Sequence, residues 1–160
     1  MDFDARARDV LDAARTAGLT LATAESCTGG LITAALTEIA GSSDVVDRGF
    51  VTYSNAAKMQ MLHVSSDTLE TYGAVSEAVA QEMVEGAAKM SGASLCVSVT
   101  GIAGPGGSEH KPEGRVCFGC LGPKGLVLET VEFGAIGRSH VRAATVKHAF
   151  DMLLSQMISI

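Results

Sequence analysis

Leu19-Thr20-Leu21-Ala22-Thr23-Ala24 is a short apolar, threonine-containing run that passes into Glu25-Ser26-Cys27-Thr28-Gly29-Gly30 and then into a helical pattern from about Leu31 to Ile39. The run reads as a strand, and Ala40-Gly41-Ser42-Ser43 ends the helix. Strand, glycine turn and helix form the repeating unit of an α/β sheet. Working outward, Phe3–Ala17 puts Val10, Leu11 and Ala14 on one face, with Asp2 or Asp4 as cap and Gly18 as stop. Downstream, Gly49–Tyr53 reads as a second strand, and Asn55 as the cap of a helix containing Lys58, Met59 and Leu62. Thr68–Tyr72 is a short helical turn, and Ser76 opens a helix through Met90 that Gly92 closes. Ser94–Thr100 is a buried strand, and a loop over Gly101–Gly114 carries five glycines and two prolines. Arg115–Leu121 and Leu126–Phe133 are strands joined as a hairpin by Gly122-Pro123-Lys124-Gly125, and a last helix runs from near Gly137 to about Met157. Helices alternating with short strands predict helices on both faces of one sheet. The hairpin makes that sheet mixed, in a single α/β domain over residues 1–160.

Composition narrows the function. The chain has 160 residues, 47% hydrophobic and 19% charged, enough to bury a core without disulfide or metal staples. A net charge of −6 with no Lys/Arg run argues against a nucleic-acid partner, and seven Tyr and Phe make a poor stacking platform. No apolar run approaches the ~18–20 residues of a membrane span, and the N-terminal residues lack a signal peptide's apolar region. The expected location is cytoplasmic. Cys117-Phe118-Gly119-Cys120 lacks the second ligand pair of a zinc site, and a strand would point its thiols to opposite faces. It reads as buried small hydrophobes, and no metal is expected.

Ligands collect at the carboxyl ends of strands in such sheets, and three segments there carry unusual residues. In Glu25–Gly30, Ser26 stands where an acyl-transfer nucleophile would, with Cys27 as rival, and helix-start N–H groups could hold an oxyanion. The alternative is that Ser26 or Thr28 only caps the helix. In Tyr53-Ser54-Asn55-Ala56-Ala57-Lys58, a cap at Asn55 puts Lys58 in the first turn, where the macrodipole lowers a lysine pKa. Such a lysine can act as a general base, with Tyr53 beside it to relay a proton. A solvated surface lysine is the alternative. Thr100-Gly101-Ile102-Ala103-Gly104-Pro105-Gly106-Gly107 reads either as an anion-binding nest or as a plain turn. Arg138 and Arg142, four apart at a helix start, suggest a compensating anion; Glu129 or Glu132 could instead supply a structural partner.

Together these segments resemble the C-terminal domain family of the competence/damage-inducible protein CinA, whose active members are nicotinamide mononucleotide deamidases. The resemblance rests on Ala24–Gly30, Gly49–Asn55 with Lys58, Gly73-Ala74-Val75-Ser76-Glu77, Thr100–Gly107, Lys111-Pro112 with Gly114, and Arg138 with Arg142. It implies a three-layer α/β/α domain with a mixed, mostly parallel five-stranded sheet. It implies hydrolysis of the nicotinamide amide to the acid and ammonia by a serine–lysine mechanism, with no cofactor. Ser26 is then the nucleophile, Lys58 its base and Tyr53 a supporting hydroxyl. The backbone of Cys27, Thr28, Gly29 and Gly30 would hold the oxyanion, and Thr100, Gly101, Gly104 and Gly106 would line the pocket. A small-molecule nucleotide substrate and a homo-oligomer are implied, to which Met59, Met61 and Leu62 could contribute.

The chain departs from the family at two places. Ile136-Gly137-Arg138 stands where the family usually has Gly-Asp-Arg, so the phosphate contact falls first on Arg142 and second on Arg138. Lys111-Pro112-Glu113-Gly114-Arg115 replaces the commoner Lys-Pro-Val-Gly-Thr, which predicts an extra ion pair near the loop. The larger domain of two-domain CinA proteins, with its pyrophosphatase-type activity, is expected to be absent. The rival functional reading is a non-catalytic module of the same fold that binds a nucleotide or a protein.

Overall fold

Strands that are apolar without alternation should lie inside a sheet covered on both faces, and half-polar strands at its edges. A computed structural model, which describes residues 2–158, has this arrangement. Six helices, α1 (Asp4–Ala17), α2 (Leu31–Thr37), α3 (Asn55–Leu62), α4 (Ser66–Tyr72), α5 (Glu77–Ser91) and α6 (Arg138–Met157), flank five strands. The strands are β1 (Leu21–Glu25), β2 (Val46–Val51), β3 (Leu95–Gly101), β4 (Arg115–Gly122) and β5 (Gly125–Glu132), in the order β2-β1-β3-β4-β5. The β1–β2 and β1–β3 ladders are parallel, whereas β3–β4 and β4–β5 are antiparallel, so β4 alone opposes the other four strands. Every residue of β1 is buried, whereas β2 and β5 form the half-exposed edges.

Helices α1, α2 and α6 cover one face around Leu11, Ile32, Phe118, Phe150 and Leu153. Helices α3, α4 and α5 cover the other around Leu62, Leu69 and Met83. Each such side chain taken fully out of water contributes about 1.5–3 kcal/mol. Leu62 therefore belongs to the core, while Met59 and Met61 remain partly exposed. Cys117 packs toward α5 beside Ala80, and Cys120 lies in the core of the opposite face, as strand alternation requires. All four cysteines are buried and free.

Several boundaries differ from the expectation. The cap of α3 is Ser54, whose Oγ accepts from Ala57 N–H at 3.0 Å; Asn55 is the first helical residue. β2 starts at Val46, earlier than its apolar pattern suggested, because Asp47 and Arg48 point to solvent from an edge strand. The N-terminus of α1 has no side-chain cap, although Asp2 Oδ1 accepts from Asp4 N–H. Gly18, in the left-handed region at φ 71°, ends α1 as expected.

The site is set by where the parallel strands stop. Ser26 N–H donates to Val99 O at 3.1 Å, and Thr52 N–H donates to Glu25 O at 2.9 Å. These two bonds carry the β1 pairing one residue past its end, so that the segments after β1, β2 and β3 converge on one edge of the sheet.

Candidate active site

Glu25, the last residue of β1, organises the turn that follows. Its fully buried carboxylate accepts from Thr28 Oγ1 at 2.6 Å, Ile32 N–H at 2.8 Å, and Thr33 N–H and Oγ1 at 2.9 and 2.8 Å. Thr23 Oγ1 adds a longer contact at 3.4 Å. The first-turn amides of α2 are thereby satisfied by a side chain of the preceding strand, a helix cap supplied from within the sheet. The free helix-start amides expected for an anion are thus partly spent on Glu25. Gly49 of β2 leaves room for this cluster, since a Cβ there would collide with Thr33 Oγ1. Sequence reading assigned Glu25 no role; its only sign was a carboxylate placed shortly before a helix start.

With Glu25 holding the turn, Ser26 faces the cleft at 8% exposure. Lys58, on the first turns of α3, is 1% exposed, and its Nζ donates to Ser26 Oγ at 2.9 Å and to Thr52 O at 2.8 Å. Among the described residues it forms no ion pair. Burial holds the Lys58 pKa below its ordinary value of 10.5, opposed by electrostatic interaction with Cys27 and Glu109. The lowered pKa was expected from the helix dipole; its main cause is desolvation. The solvated-lysine alternative is overturned by this burial.

The cleft in front of this pair has a volume of about 360 Å³, within the range of small-molecule sites. Cys27, Tyr53 and Thr100 line it, as do Gly101, Gly104 and Gly106. Thr100 Oγ1 donates to Ala74 O at 2.8 Å, tying the Gly73–Ser76 turn to β3. Asn55, Val75 and Glu109 also line the cleft and had no expected role. The Cys27 and Thr28 N–H groups have no backbone acceptor among the described residues, whereas Gly29 N–H is spent on Ser26 O. Thr28, Gly29 and Gly30 lie outside the cleft lining, so of the expected oxyanion segment only Cys27 reaches it. Burial pushes the Cys27 thiol up to about 12, which makes it a poor nucleophile near neutral pH.

The two arginines of α6 divide their work. Arg138 lines the cleft, donating from Nη1 to Gly104 O at 2.7 Å and from Nη2 to Tyr53 Oη at 3.1 Å. Arg142 is outside the cleft lining; its Nε and Nη2 donate to the Cys27 and Thr28 carbonyls at 3.2 and 3.0 Å. Backbone carbonyls therefore compensate both guanidiniums. Neither Glu129 nor Glu132 does so, since Glu129 meets His148 and Glu132 meets Arg115. The ion pair expected near the glycine loop forms between Arg115 and Glu132, while the other substituted charge meets a backbone amide. Glu113 Oε1 accepts from Gly106 N–H at 2.5 Å, filling part of the expected anion nest from within.

Comparison with known proteins agrees with this architecture. Residues 4–157 match the model of the CinA C-terminal domain. The chain is 53% identical over 136 residues to a nicotinamide-nucleotide amidohydrolase PncC of Enterobacter agglomerans, covering 84% of this chain and 83% of that one. It is 47% identical over 140 residues to a CinA-like protein of Syntrophobacter fumaroxidans, of which it spans 33%. The crystal structure of the competence/damage inducible protein CihA from Agrobacterium tumefaciens superposes with a TM-score of 0.93 at 50% identity, covering 98% of this chain and 96% of that one. In sequence and in fold alike, the chain belongs to the CinA C-terminal domain family.

Proposed function

We propose that this protein is a nicotinamide-nucleotide amidohydrolase that converts nicotinamide mononucleotide and water to nicotinate mononucleotide and ammonia, with Ser26 as nucleophile and Lys58 as its base. The observation that carries the reading is a buried lysine with no carboxylate partner among the described residues, 2.9 Å from a serine hydroxyl at a cleft. A lysine paired to a carboxylate would stay protonated; one held only by a hydroxyl and a carbonyl gives up its proton more readily. The name carried by the Enterobacter relative supports the substrate.

In the neutral state, the Lys58 amine accepts the Ser26 proton as Oγ attacks the amide carbon. The tetrahedral oxyanion is met by the Cys27 N–H group, the part of the turn that reaches the cleft. Lys58 then delivers the proton to the departing nitrogen, which leaves as ammonia, and Ser26 holds the nicotinoyl ester. Water attacks that ester, Lys58 takes its proton, and Ser26 leaves reprotonated. Arg138 takes the substrate phosphate, and Tyr53 steadies the guanidinium through its hydroxyl. Ammonia release from nicotinamide mononucleotide by the purified protein tests the reading directly. No release above the uncatalysed rate would reject it.

A further inference from the structure

Three charged side chains line the cleft: Lys58, Glu109 and Arg138. Glu109 is the one carboxylate in that lining among the described residues, and Arg138 is the cation bonded to Gly104. Their neighbours differ. Arg138 is anchored to Gly104 and Tyr53, whereas the Glu109 carboxylate lies against Gly73, where an added Cβ would collide with its Oε2. No ion pair joins them among the described residues. The neighbouring cation, Lys111, packs against Gly73 beside Glu109 without forming an ion pair with it among the described residues. Its Nζ donates to the Tyr72 and Val75 carbonyls, each at 2.5 Å.

A carboxylate and a guanidinium that line one cleft without pairing with each other complement a ligand with separated positive and negative charges. The backbone also holds Glu109 in place at some cost: Glu109 and His110 both lie in the left-handed region, at φ 51° and 63°. Resting on the function proposed above, we infer that Glu109 is a specificity-determining residue, the counter-charge for a cationic, N-substituted pyridinium ring. The cleft thus selects a zwitterionic nucleotide over neutral aromatic amides.

The ring charge can be isolated from the chemical step. In a Ser26→Ala background, calorimetry would give the affinities of nicotinamide mononucleotide and of its neutral isostere, the ribosylbenzamide 5′-phosphate with a phenyl ring in place of the pyridinium. Both carry the same amide and phosphate, so effects on Arg138 or Lys58 largely cancel in their ratio. Glu109→Gln is expected to lower the preference for the cation about two- to fivefold, the size of a partly exposed charge contact. Glu109→Lys should lower it further, by roughly tenfold or more. A preference unchanged in both variants would overturn the inference, even if the unmodified protein deamidates nicotinamide mononucleotide. A preference that follows the Glu109 charge in a protein that releases no ammonia would instead uphold the cation site and reject the reaction.

Discussion

Lys58 Nζ stands 2.9 Å from Ser26 Oγ across 32 residues of sequence, and the same nitrogen reaches Thr52 O at 2.8 Å. Two neutral oxygens around a buried amine favour general-base work over a permanent charge. Activity should therefore rise with pH through an apparent pKa below 10.5 and then level off. Lys58→Arg should be nearly as inactive as Lys58→Ala, because a guanidinium keeps its proton. A Lys58→Arg enzyme with substantial turnover would make the lysine an electrostatic stabiliser only.

The same burial has a stability cost of calculable sign. The folded-state pKa of Lys58 lies below its unfolded value, so the unfolded chain binds more protons between the two. The penalty is complete below the folded pKa and fades as pH rises toward 10.5. Lys58→Met should accordingly raise Tm at neutral pH while abolishing activity, each kcal/mol being worth about 2–4 °C at this size. The gain should shrink in alkaline buffer. Thermal unfolding at several pH values measures it, and a Tm lowered at neutral pH would contradict it.

Glu25 gathers the α2 amides and three threonine hydroxyls onto one buried carboxylate. Glu25→Ala leaves those donors without an acceptor and should cost about 2–4 kcal/mol in denaturant unfolding. Gly49→Ala should also destabilise, by forcing Thr33 out of the cluster. A loss below about 0.5 kcal/mol for Glu25→Ala, the scatter of surface changes, would show that water replaces the carboxylate.

Arg138 and Arg142 should separate on two substrates. Arg138→Ala should reduce turnover of the mononucleotide roughly ten- to a hundredfold, with little effect on residual turnover of the unphosphorylated riboside. Arg142→Ala should impair both alike, because it braces the carbonyls of the Ser26 turn. This order reverses the one drawn from the family pattern. Steady-state kinetics on both substrates decides between them, and a phosphate-specific loss in Arg142→Ala would restore the original ranking.

What was legible in the sequence followed local rules. The turn after β1, the glycine stop at Gly18, the Ser76 cap and the opposed thiols of Cys117 and Cys120 all follow from short-range pattern. The segments carrying Ser26 and Lys58 were recognisable one by one. What escaped depends on neighbours distant in sequence. Lys58 is buried because α3 turns it inward beneath Thr52, which no property of Asn55–Leu62 announces. Arg142 and Arg138 share a helix and a spacing rule, yet one meets carbonyls behind the turn and the other faces the cleft. The substitution at Glu113 was visible, but its partner, the Gly106 amide, was not. Ser54 and Asn55 are both good caps, and only the backbone geometry chooses Ser54.

The central claim is that Ser26 performs the attack. The most direct measurement is ammonia release from nicotinamide mononucleotide by Ser26→Ala, with affinity measured by calorimetry and folding by Tm. The account predicts a loss of at least about a thousandfold in kcat, with affinity and Tm close to those of the unmodified protein. Turnover within about tenfold of the unmodified protein would mean that a group other than Ser26 opens the amide, and would contradict the account.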